Sequence, residues 1–426
     1  MIDTKQPFMK LLDEQDRGGV GSRWKTVRES GRRRFRESPF PTPKSEDWRF
    51  TSVASLLQET FAPATTTVVD PSSLPPLSHP DAIRLTFVNG KYVASLSRMR
   101  PVPTGVLVGN LADADANLLA GHLARVAEMK EQVFTALNTA AISDGAYVVV
   151  PTNVALENPV EILYLTQVAD KPIVCHPRTL VVAGKHAQVS VVERYLGLPG
   201  DNAAAFVNAV TEIDLAEGAI VDHVKIQQES PRTYHVANTQ IAQARASNFT
   251  THSILLGSRL TRNEVRVRFD GEGAEATVNG LYRAEGTQHL DSHTVIDHAM
   301  PHCNSHELYK GVLAGKSHGV FNGKIFVRKD AQKTDAKQTN KVLLLSDDAT
   351  INTKPQLEIF ADDVKCTHGA TVGQLDETQT FYLRSRGIGV EEAKRILTFA
   401  FANDVVGRLK SESLRDEIEA LLMDAD

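Results

Sequence analysis

Between about Ala146 and about Gly373 almost nothing in the chain can form a helix. Short β-branched runs alternate with Gly, Asp and Asn, and a unit of strand, small or acidic turn, strand recurs. Examples are "LVVAGKHAQVSVVE", "IDLAEGAIVDHVKI", "VRFDGEGAEATVNGLY" and "LLLSDDATINTKPQLEI". Each run is too short to bury a face alone, and without intervening helices there are no βαβ crossovers. Many short strands of this kind predict a sandwich, a barrel or a stacked coil. The repeated turn–strand unit favours the coil, where each rung covers the last and equivalent positions line up. The spacing is irregular, so the sandwich stays open, and there are no hexapeptide repeats of the left-handed kind.

The flanks differ. Residues up to about Pro80 read as helical and loosely connected. "SRWKTVRESGRRRFRES" has bases at helical spacing, "PFPTPKSEDWRFTSVASLL" opens extended because of its prolines, and "APATTTVVDPSSLPPLSHP" reads as a linker. Asn89-Gly90 in "IRLTFVNGKYVASLS" marks a hairpin. In "ANLLAGHLARVAEMKEQVFTALNTAAISDG", Leu119, Leu123, Val126, Val133 and Leu137 recur at near-helical period, predicting a helical tract. After Gly373 the chain turns helical again. Asp376 is an expected N-cap and Gly387 a stop. Ala393, Ile396, Leu397, Ala400 and Val405, then Leu414, Ile418, Leu421 and Leu422, form apolar faces. These boundaries divide the chain into 1–145, 146–373 and 374–426. A stack of strands has unpaired edges at both ends, and flanking helices are the expected cover.

Composition removes several function classes. The 426 residues carry a formal charge of −5, so no positive field steers the chain to nucleic acid, and "RRRFRES" reads as a solvated helix face rather than an RNA-binding arm. No apolar run approaches the roughly 18 residues of a spanning helix. The acidic, core-less opening "MIDTKQPFMKLLDEQDRGG" is unlike a signal peptide, so the expected location is cytoplasmic. Three scattered cysteines (Cys175, Cys303 and Cys366) make neither a disulfide framework nor a four-thiolate metal site.

Three motifs carry possible chemistry. "KGVLAGKSHG" imitates a phosphate loop, but Gly311 stands one residue too close to Gly315-Lys316-Ser317 and a strand-like run follows, so it reads as a turn. "HLDSHTVIDHAMPHCNSHE" holds His289, His293, His298, His302 and His306 with Cys303. Their spacing matches no tetrahedral finger, and a strand sends neighbours to opposite faces, so a ladder of hydrogen-bonded polar residues is favoured over a metal site. The third is "ADDVKCTHGATVG". If it is a strand, Val364, Cys366 and His368 share a face, with Cys366 and His368 about 7 Å apart at the backbone. That is too far for a catalytic Cys–His hydrogen bond but allows both to converge on one metal; plain packing of the thiol is the other reading. Two donors do not complete a site, so a metal or cluster here needs ligands from elsewhere, including another chain.

The run "SHGVFNGKIFVRKDAQKTDAKQTNKVLLLSDDATINTKPQLEIFADDVKCTHGATVGQLDETQTFYLRSRGI", together with "PKSEDWRFTS", resembles the SufB/SufD family of the SUF iron–sulfur cluster assembly machinery. "CTHGATVG" and "FYLRSRGI" are similar to its SufD type rather than to SufB. The resemblance implies a mainly β chain: a right-handed parallel β-helix core flanked by an N-terminal α/β region and C-terminal helices. It implies a non-enzymatic scaffold that pairs with SufB through the β-helix core and with the ATPase SufC through the C-terminal helices, with a homodimer possible when SufB is missing. His368 matches the family histidine that helps form a transient cluster with SufB groups, and Cys366 matches its neighbouring cysteine. No cofactor is expected to be held tightly by the isolated chain. The rival reading is a stand-alone metal-dependent β-helix enzyme using the run from His289 to His306.

Overall fold

The computed structural model describes residues 4–423 except 20, 21, 66, 201 and 202. Its core is a parallel β-solenoid of about eight turns, so the stacked coil prevails over the sandwich. Two long sheets of 11 and 10 strands face each other. The first runs from Thr350–Ile359 back through His318–Val327, His289–His298, Leu260–Phe269, Thr233–Gln243, Ala205–Leu215, Arg178–Ala183 and Ala146–Val150 to Leu107–Asn110. The second runs from Lys365–Gly373 through Asp335–Leu344, Asn304–Leu313, Glu275–Ala284, Asn248–Leu255, Ile220–Gln228, Gln188–Gly197 and Val160–Thr166 to Ile83–Val88 and Lys91–Tyr92. Within this core, neighbouring strands from successive turns are parallel, as His289 beside His318 and Asn304 beside Asp335 illustrate. The expected hairpin closes the second sheet, with Val88 opposite Lys91 and positive φ at Asn89 and Gly90.

One corner of the coil explains the recurring small or acidic turn. His186, Gly218, Ala246, Gly273, His302 and Lys333 all have positive φ, between 52° and 70°. Each donates its N–H to the next turn of the coil: His186 to Glu217 O, Gly218 to Arg245 O, Ala246 to Glu272 O, Gly273 to Pro301 O, His302 to Gln332 O and Lys333 to Asp363 O. A left-handed residue is strained unless it is glycine, and here the inter-turn hydrogen bonds hold four non-glycine residues in that region.

The outer face of the first sheet is covered by N-terminal helices. Gln6–Arg17, Lys25–Glu37 and Val133–Ala141 bring Phe8, Leu12, Phe35 and Phe134 onto Phe206, Tyr234 and Leu260. The basic helix approaches its neighbour so closely that a Cβ on Gly31 would lie 2.5 Å from Ala140 N. Its charge is therefore only partly solvated. Arg33, Arg34 and Arg36 are exposed, whereas Arg28 is buried and reaches Asp16 at 2.6 Å.

Two expectations change. The tract from 116 to 145 is not one helix: only Ala116–Leu119 and Val133–Ala141 are helical. Between them the buried Glu212 carboxylate accepts the N–H groups of Ala124, Val126 and Ala127 at 2.8–3.0 Å, and Ala124 and Glu131 adopt positive φ. A strand side chain thus takes the donors a helix would have used, while Leu119, Leu123 and Val126 still bury. The second change concerns the ends of the stack. The helices Val390–Val406 and Glu412–Met423 lie along the side of the second sheet, where Ala402, Val405, Val406, Leu409, Leu414 and Ile418 pack on Val192, Ile226, Ile254 and Leu281. They do not cover the last turn, whose strands Thr350–Ile359 and Lys365–Gly373 each pair on one edge only.

The side seam is apolar and flanked by ion pairs: Glu417 takes both Nη atoms of the buried Arg194 at 2.6 and 2.7 Å, Asp404 accepts from Lys310 and Lys410 donates to Asp222. Ile418 is fully buried there. Ile418→Ala should cost about 2–5 kcal/mol of local stability. Limited proteolysis should then cut within residues 407–411 faster than in the parent, with the coil's far-ultraviolet dichroism unchanged.

Candidate functional site

Cys366 and His368 stand on Lys365–Gly373, the final strand of the second sheet. Among the described residues its one strand partner is Asp335–Leu344, and the register sets Cys366 over Ala336, His368 over Gln338, Ala370 over Asn340 and Val372 over Val342. All four residues beneath are buried. Strand alternation therefore aims Cys366 and His368 toward the interior of the coil. With no further turn above them, they form its mouth. Cys366 is half-buried among Ile325, Val327, Ala336 and Ala361, and burial holds its thiol above the ordinary value. His368 is exposed to solvent. Among the described residues, no three His, Cys, Asp or Glu side chains gather as a metal site.

The interior beneath the mouth is polar. Gln338 donates through Nε2 to Glu307 Oε2 at 2.6 Å, one rung further in. Glu307 is buried, and that burial pushes its carboxyl up to about 7, the Gln338 hydrogen bond offsetting only part. Deeper still, Glu193 accepts from His223 at 3.0 Å and from Thr211 at 2.9 Å. Lys225 donates to Asn263 at 2.8 Å, and burial lowers its ammonium to about 8. The sequence reading passed over Glu307 and Gln338. The signal was there in the alternation: Glu307 falls on the same strand face as Ser305 and Tyr309, and all three are buried.

The histidine run is dispersed. His289 and His293 point away from the coil interior and are covered by the N-terminal segment: Thr51 Oγ1 lies 2.9 Å from His289 Nε2 and donates to Asp291. Arg262 donates to His293 Nδ1 at 2.8 Å, to Asp291 and to Asp47 O, with the Trp48 ring 4.4 Å from its guanidinium. His298 faces the interior and bonds Ser305 at 2.9 Å. His302 forms the left-handed corner and His306 is exposed. These side chains serve three different places and cannot converge on one ion, which removes the geometry that the rival enzyme needs. The phosphate-loop imitation is a turn as well: Gly315 has φ +66° and leads into the strand His318–Val327.

Comparison with known proteins places this architecture. A family model described as "SUF system FeS cluster assembly, SufBD core domain" matches residues 165–401, and one described as "SufBD protein N-terminal region" matches 19–162. The chain belongs to the SufBD family of iron–sulfur cluster assembly proteins. It is 35% identical over 390 residues to a SufBD family assembly protein of Synechocystis, covering 89% of this chain and 86% of that one. It is 31% identical over 391 residues to the assembly protein SufD of Escherichia coli, covering 89% and 88%. A chloroplastic protein of Arabidopsis thaliana named ABCI7 is 28% identical over 403 residues, covering 92% and 84%. No helix among the described residues of this SufBD protein is long and apolar enough to cross a membrane.

The latch of the N-terminal segment onto the coil makes stability depend on pH. Burial, and then the Arg262 cation, push His293 down to about 4; burial does the same to His289 and His298. In the unfolded chain such groups protonate near pH 6.5. Between those values the unfolded state binds more protons, so stability is present above about pH 6.5 and falls as the pH drops toward 4. His293→Gln keeps an acceptor for Arg262 without a titrating ring. It should remove up to about 3 kcal/mol of the loss between pH 7.5 and 4.5, read from urea unfolding midpoints at the two pH values.

Proposed function

We propose that this SufBD protein is a SufD-type scaffold that pairs with SufB and with the ATPase SufC and helps iron enter a nascent cluster. The uncovered last turn of the coil is the observation that carries this reading. Thr350–Ile359 and Lys365–Gly373 present free strand edges, and an exposed edge is a template for a strand from another chain. His368 stands at that edge, facing solvent.

The chemistry is one of shared donors. A neutral imidazole is a competent iron ligand, and His-ligated clusters set the precedent. This chain offers His368 and, next to it, the half-buried Cys366; the remaining thiolate and carboxylate donors come from SufB across the seam. The cluster and its iron and sulfide are cargo, built at the seam and passed on. Without SufB, two copies of this chain pair through the same edge. Three free thiols suit a reducing cytoplasm.

SufC docks on the C-terminal helices. Helix Glu377–Ser385 buries none of its residues, and Phe381 and Tyr382 are exposed beside Arg384 and Arg386. Exposed aromatics flanked by arginine are the composition of an interface anchor. ATP binding and hydrolysis on SufC move these helices because SufC binds two arrangements of them with different affinity. That motion opens the seam to iron and sulfide.

Co-expression with SufB and SufC tests the reading. His368→Ala should leave the complex intact on size exclusion but abolish cluster absorbance, and Cys366→Ala should reduce it less. Deleting residues beyond 373 should lose SufC and retain SufB. Cluster at parental level on the His368→Ala complex would overturn the role of the histidine, and failure of SufB to co-purify would overturn the pairing.

A further inference from the structure

We propose that Gln338 and Glu307 form a seat for a first-row divalent cation inside the mouth of the coil, one and two rungs beneath His368. The proposal rests on the reading of His368 as a metal donor and extends it inward along one register column, His368 over Gln338 over Glu307.

An orphaned amide oxygen beside a buried carboxyl carries it. Gln338 Oε1 is buried and accepts no hydrogen bond, while the Thr294 hydroxyl stands beside the Glu307 carboxyl as a donor to it. Gln338 and Glu307 are 1% and 3% exposed, and Gln338 Nε2 is committed to Glu307 Oε2. A buried acceptor without a donor is costly in a folded protein, and Gln338 Oε1, set beside a carboxyl held by one amide and one hydroxyl, leaves a place for a cation. The fold has made room for the amide. Gly323, across the interior, lacks the Cβ that would stand 2.2 Å from Gln338 Nε2 and 2.8 Å from its Oε1, and its φ is outside the left-handed range. Glycine is therefore used at 323 for space, not for backbone conformation.

The donor set fixes the class of ligand. A carboxylate oxygen, an amide oxygen and an imidazole suit Mn2+ or Fe2+ rather than a thiolate-loving ion. The column opens at the exposed His368, which gives an ion a way in from the seam.

Mn2+ binding to the purified full chain, followed by loss of the free-ion electron paramagnetic resonance signal, decides it. The parent should bind one ion, and Glu307→Gln and Gln338→Met should each weaken binding about 10–100-fold. Gly323→Ala should weaken it as well, because its methyl displaces the amide while every donor remains. Far-ultraviolet dichroism checks folding, and if the alanine variant does not fold the other two decide. Parental affinity in Glu307→Gln and Gln338→Met, or no uptake by the parent chain, overturns the seat. The two readings separate cleanly. If His368→Ala alone loses the ion, the seat is wrong and the histidine role survives. If Glu307→Gln and Gln338→Met lose the ion while His368→Ala keeps it, the seat stands and the histidine role fails.

Discussion

Every rung of this molecule is defined by the rung beneath it. In a parallel coil each residue sits on its register partner, so a side chain's surroundings are set by positions some thirty residues away, as His289 and His318 show. An inward polar side chain needs a hydrogen-bonding partner on its own or a neighbouring rung. The two sides must be covered by something else, and here the N-terminal aromatic cluster and the C-terminal helices do so on opposite sheets. The last rung has a partner below and none above.

That arrangement explains what was legible in the sequence. The coil could be read from strands without helices and from a turn that repeated, because the corner demands a left-handed residue at each of six levels. It could not be read with assurance, because the repeat is uneven. Tyr234 pairs with Leu260, only 26 positions on, while His318 pairs with Thr350, 32 on. Non-glycine corners such as Ala246 and His302 hide the signal further, since the hydrogen bonds that hold them belong to the next turn. The tract after Ala116 failed for a related reason. Its period was helical, but Glu212, nearly a hundred residues on, took its backbone donors.

At the candidate site the alternation along the strand was legible in the sequence and the stacking beneath it was not. Alternation put Cys366 and His368 on one face, and the register makes that the inward face of an uncovered rung. What alternation could not supply was the column beneath, for Gln338 and Glu307 lie 30 and 61 positions before His368 and meet it only through stacking. The histidine run misled in the opposite sense. Nearness in sequence suggested a shared ion, yet alternation and a corner sent those rings to the N-terminal latch, to the interior and to solvent.

Stability in a stacked coil is close to a sum of rungs and the seams between them. The strand bearing His368 shares a seam on one side only, so peeling it away breaks half the bonds that freeing any central strand would break. Fraying therefore begins where iron chemistry is proposed, and an incoming subunit meets a soft lip rather than a rigid wall.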